Sequence, residues 1–245
     1  MLIACVGATF MLLALAVAVD AGWAAGFDQW SANHLMPLQD HPTGEPSTLD
    51  RATSPLAAVQ RPTNSALTRS LFAVTVPFAP LPAVLLAGAG AFVLVIRGRR
   101  RAAAAWCGAL AAALIVEAAF KHVVERPLVY KIDSSTHLAR PADTLNRSFP
   151  SGHAVRAVVL AGLVLELAPG LASIAFAAAG ITSALTVVLS MHTPTDVSGG
   201  LLLGFILLAV GWLGARPGGD LPRRAGEPRG HMRGSPRPFR SQRVE

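Results

Sequence analysis

The chain has 245 residues, of which 52% are hydrophobic and 14% are charged, and its formal net charge is +7. Soluble domains usually carry about a quarter of charged residues, so this composition is typical of a membrane protein. The positive charge does not indicate nucleic-acid binding, because the arginines cluster at the ends of apolar segments and in the C-terminal tail. Cys5 and Cys107 both lie within apolar runs, where they form neither a metal motif nor a disulfide framework.

A helix needs about 20 apolar residues to cross the hydrocarbon core of a bilayer. Six segments approach this length, namely residues 2–19, 71–96, 102–120, 154–168, 171–191 and 197–213. The fourth segment is short and carries Arg156 and Glu166, and Pro169-Gly170 separates it from the fifth as a tight turn. The sequence therefore predicts an all-α integral membrane bundle of about six transmembrane helices.

The distribution of arginine predicts how this bundle is oriented. Residues 97–101, between the second and third segments, include four arginines, and the tail from residue 216 carries eight more. The positive-inside rule places both regions in the cytoplasm, so both termini are predicted to be cytoplasmic. The connections at 20–70, at 121–150 and around His192 then share the outer side, and we expect the protein in the plasma membrane.

Two parts of the chain need a separate interpretation. The first segment has an apolar core but no basic residue before it, so we expect a retained helix rather than a cleaved signal peptide; cleavage would leave five spans. Residues 216–245 are rich in Pro, Gly and Arg, which predicts a disordered cytoplasmic tail. Residues 1–215 then form one six-span domain, with its motif-bearing core at 71–213.

A polar motif, Pro150-Ser151-Gly152-His153, leads into the fourth segment. Pro, Ser and Gly before an apolar run are typical of a helix N-terminus, where free N–H groups and the helix dipole favour a bound phosphate. Ser151 adds a hydroxyl donor, Gly152 lets the backbone approach the anion closely, and His153 can give a proton to a leaving oxygen. The alternative interpretation is an ordinary N-cap serine followed by an interfacial histidine.

His192 and Asp196 precede the sixth segment with a spacing of four residues. At helical spacing they lie on one face, so the carboxylate can hold one ring nitrogen of His192 and make the other more nucleophilic. We therefore expect His192 to be a nucleophile that Asp196 orients, although Pro194 lies between them. The alternative is a pair of interfacial polar residues, with Asp196 as the N-cap of the sixth helix.

Two cations, Lys121 and Arg126, follow the third segment on the predicted outer side. Lysine and arginine at a membrane exit can clamp a phosphate. The alternative is that Lys121 reaches towards the headgroups and forms an intrahelical ion pair with Glu117. A metal site would be a rival use of the histidines, but no metal-ligand spacing is present, so we expect neither a metal nor another cofactor.

These motifs, in this order, resemble the type 2 phosphatidic acid phosphatase superfamily, the lipid phosphate phosphatases, which are related to vanadium haloperoxidases. The family pattern is Lys, six residues and Arg-Pro; then Pro-Ser-Gly-His; then Ser-Arg, five residues, His, three residues and Asp. The resemblance covers residues 71–213 by span order. It implies that His192 forms a phosphohistidine, that Asp196 orients His192, and that His153 protonates the leaving group. It also implies that Ser151 and the Gly152 amide hold the phosphoryl oxygens.

The chain departs from the family pattern at two arginines. Counted from Lys121, Arg126 lies two residues earlier than the pattern predicts. Leu185 and Thr186 stand where the Ser-Arg pair is expected before His192, so that phosphate-binding arginine is absent. The loss of one charge-assisted contact in a dry site would cost several kcal/mol in the transition state.

Arg156 is a candidate replacement for the missing arginine. It lies three residues after His153, hence on the same helix face, and an arginine at bilayer depth is costly and usually functional. We expect Arg156 to bind the phosphate from the fourth helix, and Arg126 to do so in place of the arginine expected two residues later. The alternative for Arg156 is a side chain that reaches the lipid headgroups.

The sequence thus predicts a metal-independent membrane phosphatase that acts on a lipid phosphate or diphosphate at the extracytoplasmic face. Phosphatidic acid, phosphatidylglycerol phosphate and a polyprenyl diphosphate all fit, with membrane lipids and the lipid phosphate as the partners. The first alternative is a catalytically impaired membrane protein that binds lipid phosphate or has a regulatory role. The missing arginines favour this alternative, and the presence of both histidines with Asp196 disfavours it. A transporter of anionic lipid is disfavoured, because most ionisable residues lie at one interface rather than through the membrane depth.

Overall fold

The structure, a computed structural model, describes residues 2–35, 66–132, 139–141, 145 and 147–216. The predicted disordered tail therefore lies outside the described residues beyond Arg216. Among the described residues, the helices are α1 Leu2–Asp20, α2 Ala25–His34, α3 Ala66–Thr75, α4 Pro80–Ile96, α5 Arg100–Val123, α6 Gly152–Leu167, α7 Ala172–Val188 and α8 Pro194–Ala215. Short 3-10 turns at Val76–Phe78 and Pro169–Leu171 precede α4 and α7.

A small antiparallel hairpin stands between α5 and α6. Its strands are β1, Tyr130–Ile132, and β2, Ala139–Pro141, and Lys131 pairs with Arg140 in the register. Each strand has three residues, and the other regular elements of the described residues are helices. The predicted all-α class is therefore confirmed.

Each of the six predicted apolar segments overlaps a helix or a helix pair. By length and composition, α1, α5, residues 169–188 and α8 can each cross a membrane. Helices α3 and α4 together form a fifth candidate, which bends by 51° where Pro80 begins α4. Helix α6 has 16 residues, which is short of the ~20 residues that a lipid-facing span needs. These apolar helices make the chain an integral membrane protein.

Helix α6 is short because it lies inside the bundle rather than against lipid. Eleven of its residues are buried, and it packs against α5, α7 and α8. Two glycines of α8 allow this close packing: a Cβ added at Gly200 would lie 2.9 Å from the Ala154 Cβ, and one at Gly204 would lie 2.8 Å from the Val158 Cβ. Small residues spaced by four bring membrane helices together in this way. The contact seats the beginning of α6 on the first turns of α8.

The arginines between α4 and α5 close the opposite end of the bundle. Arg97 and Arg99 donate to backbone carbonyl oxygens in the last turn of α6, each at 3.0 Å, and Arg101 donates to the Gly214 oxygen near the end of α8 at 2.9 Å. The last carbonyl groups of a helix have no partner within the helix, so these contacts satisfy them. The motif residues all lie at the other end, where α5, α7 and the loops meet the beginnings of α6 and α8.

Candidate active site

The Pro-Ser-Gly-His motif forms the beginning of α6. Ser151 is the N-cap, and its hydroxyl oxygen accepts from the Ala154 amide at 3.4 Å, so the cap considered as an alternative is present. The Gly152 and His153 amides lie in the first turn, where a helix leaves its N–H groups without intrahelical partners. The Ser151 amide donates to the Asp196 backbone oxygen at 2.8 Å, which ties the motif to α8.

The second motif begins α8 three residues earlier than the alternative interpretation placed it. Thr193, not Asp196, is the N-cap, because Pro194 is well suited to the first helical position. The Asp196 Oδ2 atom accepts from the Thr193 amide at 2.9 Å, and the Thr193 hydroxyl accepts from the Asp196 amide at 3.4 Å. This capping box holds the Asp196 carboxylate in place and keeps the residues from 194 onwards helical.

His192 and Asp196 face each other as their spacing predicts. The His192 Nδ1 atom lies 3.7 Å from Asp196 Oδ2, which is an ion-pair distance but longer than a hydrogen bond. Within the described part of the chain, neither His192 Nδ1 nor Asp196 Oδ1 has a hydrogen-bond partner, and both are buried. Catalytic hydrogen bonds are often long before the substrate binds. The structure therefore shows His192 and Asp196 in ion-pair contact through Nδ1 and Oδ2.

The two histidines of the separate motifs meet at this end of the bundle. The ring centroids of His153 and His192 are 5.9 Å apart, and their planes are inclined by 62°. His153 enters from the first turn of α6, and His192 from the loop between α7 and α8. The close approach of Gly200 to Ser151 brings these two elements together. The two motifs therefore lie at the same end of the bundle.

Lys121 and Arg156 converge on one buried carboxylate, that of Glu117. The Lys121 Nζ atom lies 2.6 Å from Glu117 Oε1, so the intrahelical pair considered above is present. The Arg156 Nη1 atom pairs with Glu117 Oε2, and its Nε donates to the Phe78 oxygen at 2.6 Å. Arg156 is 2% exposed, so it does not reach the lipid headgroups. A Cβ on Gly152 would overlap the Glu117 carboxylate, which places that anion beside the N-terminus of α6.

Arg126 lies past the end of α5, which stops at Val123, and its side chain turns into the bundle. The Nη1 atom lies 3.1 Å from Asp196 Oδ1, and the Nη2 atom lies 2.7 Å from Asp28 Oδ2. Hydroxyl groups of Ser148, Thr193 and Thr195 accept from the same guanidinium. Phosphate binding by Arg126 stays a prediction, and these contacts do not support it.

Asp28, on α2, is the residue that motif reasoning missed. It is 2% exposed, and besides its pair with Arg126 it accepts from the Thr195 hydroxyl at 2.8 Å on each carboxylate oxygen. Burial raises the pKa of the Asp28 carboxyl above its ordinary value, and the positive charge of Arg126 opposes that rise. No spacing rule links Asp28 to the motifs, so only the tertiary contact reveals it.

Comparison with known proteins agrees with the motifs. Among solved structures, the chain is similar to the first transmembrane PAP2 type phosphatidylglycerolphosphate phosphatase from Bacillus subtilis, with a TM-score of 0.57 and 20% sequence identity. That match covers 85% of this chain and 94% of the other, and at this identity it shows a shared fold. No curated protein matches the chain. Residues 102–217, which hold every predicted site residue, match the family model of the PAP2 superfamily. Residues 102–217 therefore resemble the PAP2 superfamily in sequence, and the chain shares the fold of the similar solved structure.

Proposed function

We propose that the protein is a membrane phosphatase that hydrolyses a lipid phosphate or diphosphate through a phosphohistidine on His192. The observation that carries this proposal is the meeting of the His153 and His192 rings, 5.9 Å apart, at the beginning of α6. Asp196 lies on the Nδ1 side of His192, which leaves the other ring nitrogen for the substrate. A nucleophile, its orienting carboxylate and a second proton-transfer group are the parts that such a reaction requires.

The reaction would proceed in two displacements. The unprotonated ring nitrogen of His192 attacks the phosphorus, the bond to the leaving oxygen breaks, and a protonated His153 gives its proton to that oxygen. A water molecule then attacks the phosphohistidine while His153 takes one of its protons, and inorganic phosphate leaves. Asp196 keeps the proton on Nδ1 of His192 and stabilises the positive charge that the ring gains in the first step.

The phosphoryl oxygens would be held at the N-terminus of α6. Ser151 supplies a hydroxyl, Gly152 an amide, and Lys121 and Arg156 the positive charge. Glu117 holds both cations beside this turn, so a phosphate must compete with that carboxylate or share its two partners. Charge-assisted bonds from a preorganised lysine and arginine stabilise the transition state more than the same bonds in water would.

A lipid is the substrate class that the surroundings favour. The helices around the site have apolar outer faces, so an acyl or isoprenoid chain can lie beside them while the phosphate meets the histidines. The similar solved structure bears the name of a phosphatidylglycerolphosphate phosphatase, which is in line with this class. Phosphatidic acid, phosphatidylglycerol phosphate and a polyprenyl diphosphate are the candidates.

We place the site on the extracytoplasmic face of the plasma membrane. The arginine end, Arg97 to Arg101, is opposite the histidines, and the positive-inside rule assigns basic ends to the cytoplasm. Both termini are then cytoplasmic, residues 1–215 form the membrane domain, and residues 216–245 form a basic cytoplasmic tail. The chemistry proposed above uses side chains alone, so we propose that it needs no metal.

A second candidate function is binding of lipid phosphate without turnover. Leu185 and Thr186 lie in the last turn of α7, at the positions where the family pattern has Ser-Arg. Arg126 and Arg156 are already paired with carboxylates. A site whose arginines are paired with carboxylates of the same chain binds phosphate more weakly than a site with unpaired arginines. The retained histidine pair with Asp196 favours catalysis, because binding alone does not require a nucleophile and its orienter.

One experiment separates the two functions: phosphate release by the purified protein from a panel of lipid phosphates and diphosphates, with EDTA present. Wild-type protein is compared with His192→Ala and with the matched control His122→Ala, an exposed histidine at the end of α5. We expect release by wild type and by the control, and none by His192→Ala. Binding without release supports the second function, and release that persists in His192→Ala contradicts the first.

A further inference from the structure

Asp28 belongs to a part of the chain that none of the family motifs includes. It lies on α2, in the segment after the first membrane helix, whereas the family model matches residues 102–217. Yet its carboxylate is among the most buried charged groups in the described part of the chain, and it contacts Arg126 and Thr195. Thr195 stands immediately before Asp196 in the sequence, so α2 is connected to the catalytic motif through two side chains.

The contacts of Arg126 use its two terminal nitrogens for different carboxylates. The Nη2 atom donates to Asp28 at 2.7 Å and to Thr195 at 3.0 Å. The Nη1 atom donates to Asp196 Oδ2 at 3.2 Å and to the hydroxyl groups of Ser148 and Thr193. Each terminal nitrogen carries two N–H groups, so these contacts engage all four of them. No donor of that pair of nitrogens is left for a phosphate.

The division of Arg126 between two carboxylates has a consequence for Asp196. A guanidinium with a single carboxylate partner favours the bidentate fork, in which both carboxylate oxygens accept. In the structure Nη1 alone contacts Asp196, at 3.1 Å from Oδ1 and 3.2 Å from Oδ2, so the fork does not form, and the carboxylate remains 3.7 Å from His192 Nδ1 through Oδ2. By holding Nη2, Asp28 prevents Arg126 from turning its full fork onto Asp196.

We propose that Asp28 is a positioning residue: by holding Nη2 of Arg126, it fixes the orientation in which the Asp196 carboxylate faces His192. This inference rests on the function proposed above and adds α2 to the site. Arg126 is then a structural partner of Asp196 rather than a phosphate ligand. The proposal requires that loss of the Asp28 charge slow the chemical steps without weakening the hold on phosphate.

Asp28→Asn tests the proposal, because the amide keeps the size and one acceptor oxygen but removes the charge. In the purified full-length protein, we expect kcat to fall about 10- to 100-fold, the scale for groups that orient a reacting side chain, while KM and the Ki of inorganic phosphate stay within about twofold. Asp20→Asn is the matched control: Asp20 is exposed at the same end, and its oxygen accepts from the Glu125 amide, which an asparagine also permits. We expect wild-type kcat and KM for the control.

Thr195→Val is a second variant that carries no charge change. It removes the hydroxyl that bridges Arg126 and Asp28 and keeps the branched shape, so kcat should fall in the same way but by only about 3- to 10-fold. It keeps the proposal testable if Asp28→Asn does not accumulate. A rise in KM or in the phosphate Ki with kcat unchanged overturns the proposal, because Asp28 and Arg126 would then act on substrate binding. Unchanged kinetics in a folded variant overturn it too.

These outcomes are distinct from failure of the proposed function. If wild-type protein releases no phosphate, or releases it equally in His192→Ala, the phosphatase proposal fails first and the Asp28 variants are measured by phosphate binding alone. If release depends on His192 and the Asp28→Asn enzyme turns over like wild type, only the positioning role is wrong.

Discussion

The two ends of the helix bundle both gather arginines, but they use them differently. At one end, Arg97, Arg99 and Arg101 donate to backbone carbonyl groups at helix C-termini, and Arg99, whose side chain is 47% exposed, also pairs with the Glu166 carboxylate. At the other end, the side chains of Arg126 and Arg156 are 2% and 3% exposed, and both pair with carboxylates. An exposed ion pair contributes roughly 0–1 kcal/mol, whereas removing one partner of a buried pair costs roughly 3–5 kcal/mol.

This difference indicates which end serves stability and which serves chemistry. Arginines that satisfy helix carbonyl groups improve the fold at little cost, since water still solvates much of the charge. Buried ion pairs are a poor route to stability, because hydrophobic side chains of similar volume often stabilise a protein as well or better. The buried charges beside the two histidines are therefore better explained by the proposed reaction than by folding.

The Asp196→Asn substitution should have the largest effect at the site end. Asparagine keeps an oxygen for the Thr193 amide, so the capping box and the helix should persist. It removes the charge that we propose orients His192, and we expect kcat to fall by about 10³- to 10⁴-fold, as when the aspartate of a catalytic triad is neutralised. Steady-state phosphate release measures kcat, and circular dichroism checks the helix content. A variant that keeps a tenth of wild-type kcat would show that Asp196 only caps α8.

Arg156→Ala tests the cation that we expect to replace the missing motif arginine. The substitution leaves Glu117 buried with Lys121 as its remaining partner, so we expect a loss of stability of roughly 3–5 kcal/mol as well as a loss of activity. The double variant Glu117→Gln with Arg156→Ala removes both charges of the pair. We expect it to regain most of the thermal stability, while kcat/KM stays about 10²- to 10³-fold below wild type.

The double variant separates a structural from a catalytic role for Arg156. Apparent melting temperatures in detergent report the stability, and phosphate release reports the activity. If activity returns together with stability, Arg156 only balances Glu117, and the phosphate must be held by Lys121 and the first turn of α6. Wild-type turnover in the single variant would also exclude Arg156 as a phosphate ligand.

The motifs were readable from the sequence because they depend on local spacing. Ser151 and His153 precede an apolar run, and His192 and Asp196 are four residues apart, so helix geometry alone predicts which groups share a turn. The apolar segments and the arginine distribution then place both motifs at the same end. Membrane helices are the elements that hydropathy predicts best, since every backbone polar group within lipid must be satisfied inside its own segment.

The rest of the site depends on tertiary contacts that no spacing rule describes. Asp28 meets Arg126 only because α2 folds back onto the start of α8, and its own segment has no motif. The use of Arg126 by two carboxylates was equally hidden, since a cation at a membrane exit is compatible with a phosphate or with an internal anion. The sequence shows that the fourth apolar segment is short, but it does not show that α6 is buried inside the bundle.

Gly200→Ala should disturb the site end through packing alone. The added Cβ would lie 2.9 Å from the Ala154 Cβ and press on the Ser151 backbone oxygen, so α6 must move away from α8. Overpacking of this kind typically costs about 1–3 kcal/mol. Because the shift separates His153 from His192, we expect a fall in kcat that is larger than the loss of stability alone would cause. Gly180→Ala on α7 is the matched control, since nothing lies within 4 Å of its Cβ position. Equal kinetics in the two variants would show that the spacing of α6 and α8 does not matter for catalysis.

Arg101→Ala should have the smallest effect, and it tests the other half of the comparison. The substitution removes one donor to the Gly214 oxygen at the end of α8, which is worth about 0.5–1.5 kcal/mol for a single net hydrogen bond. We expect a slightly lower melting temperature and unchanged kcat and KM, because the contact lies at the end of the bundle away from the histidines. Arg101→Lys keeps the positive charge that orients the chain and serves as the control for topology. A kinetic defect in Arg101→Ala that Arg101→Lys shares would mean that the fork of the guanidinium transmits strain along α8 to Asp196, and the two ends would then have to be treated as one coupled unit.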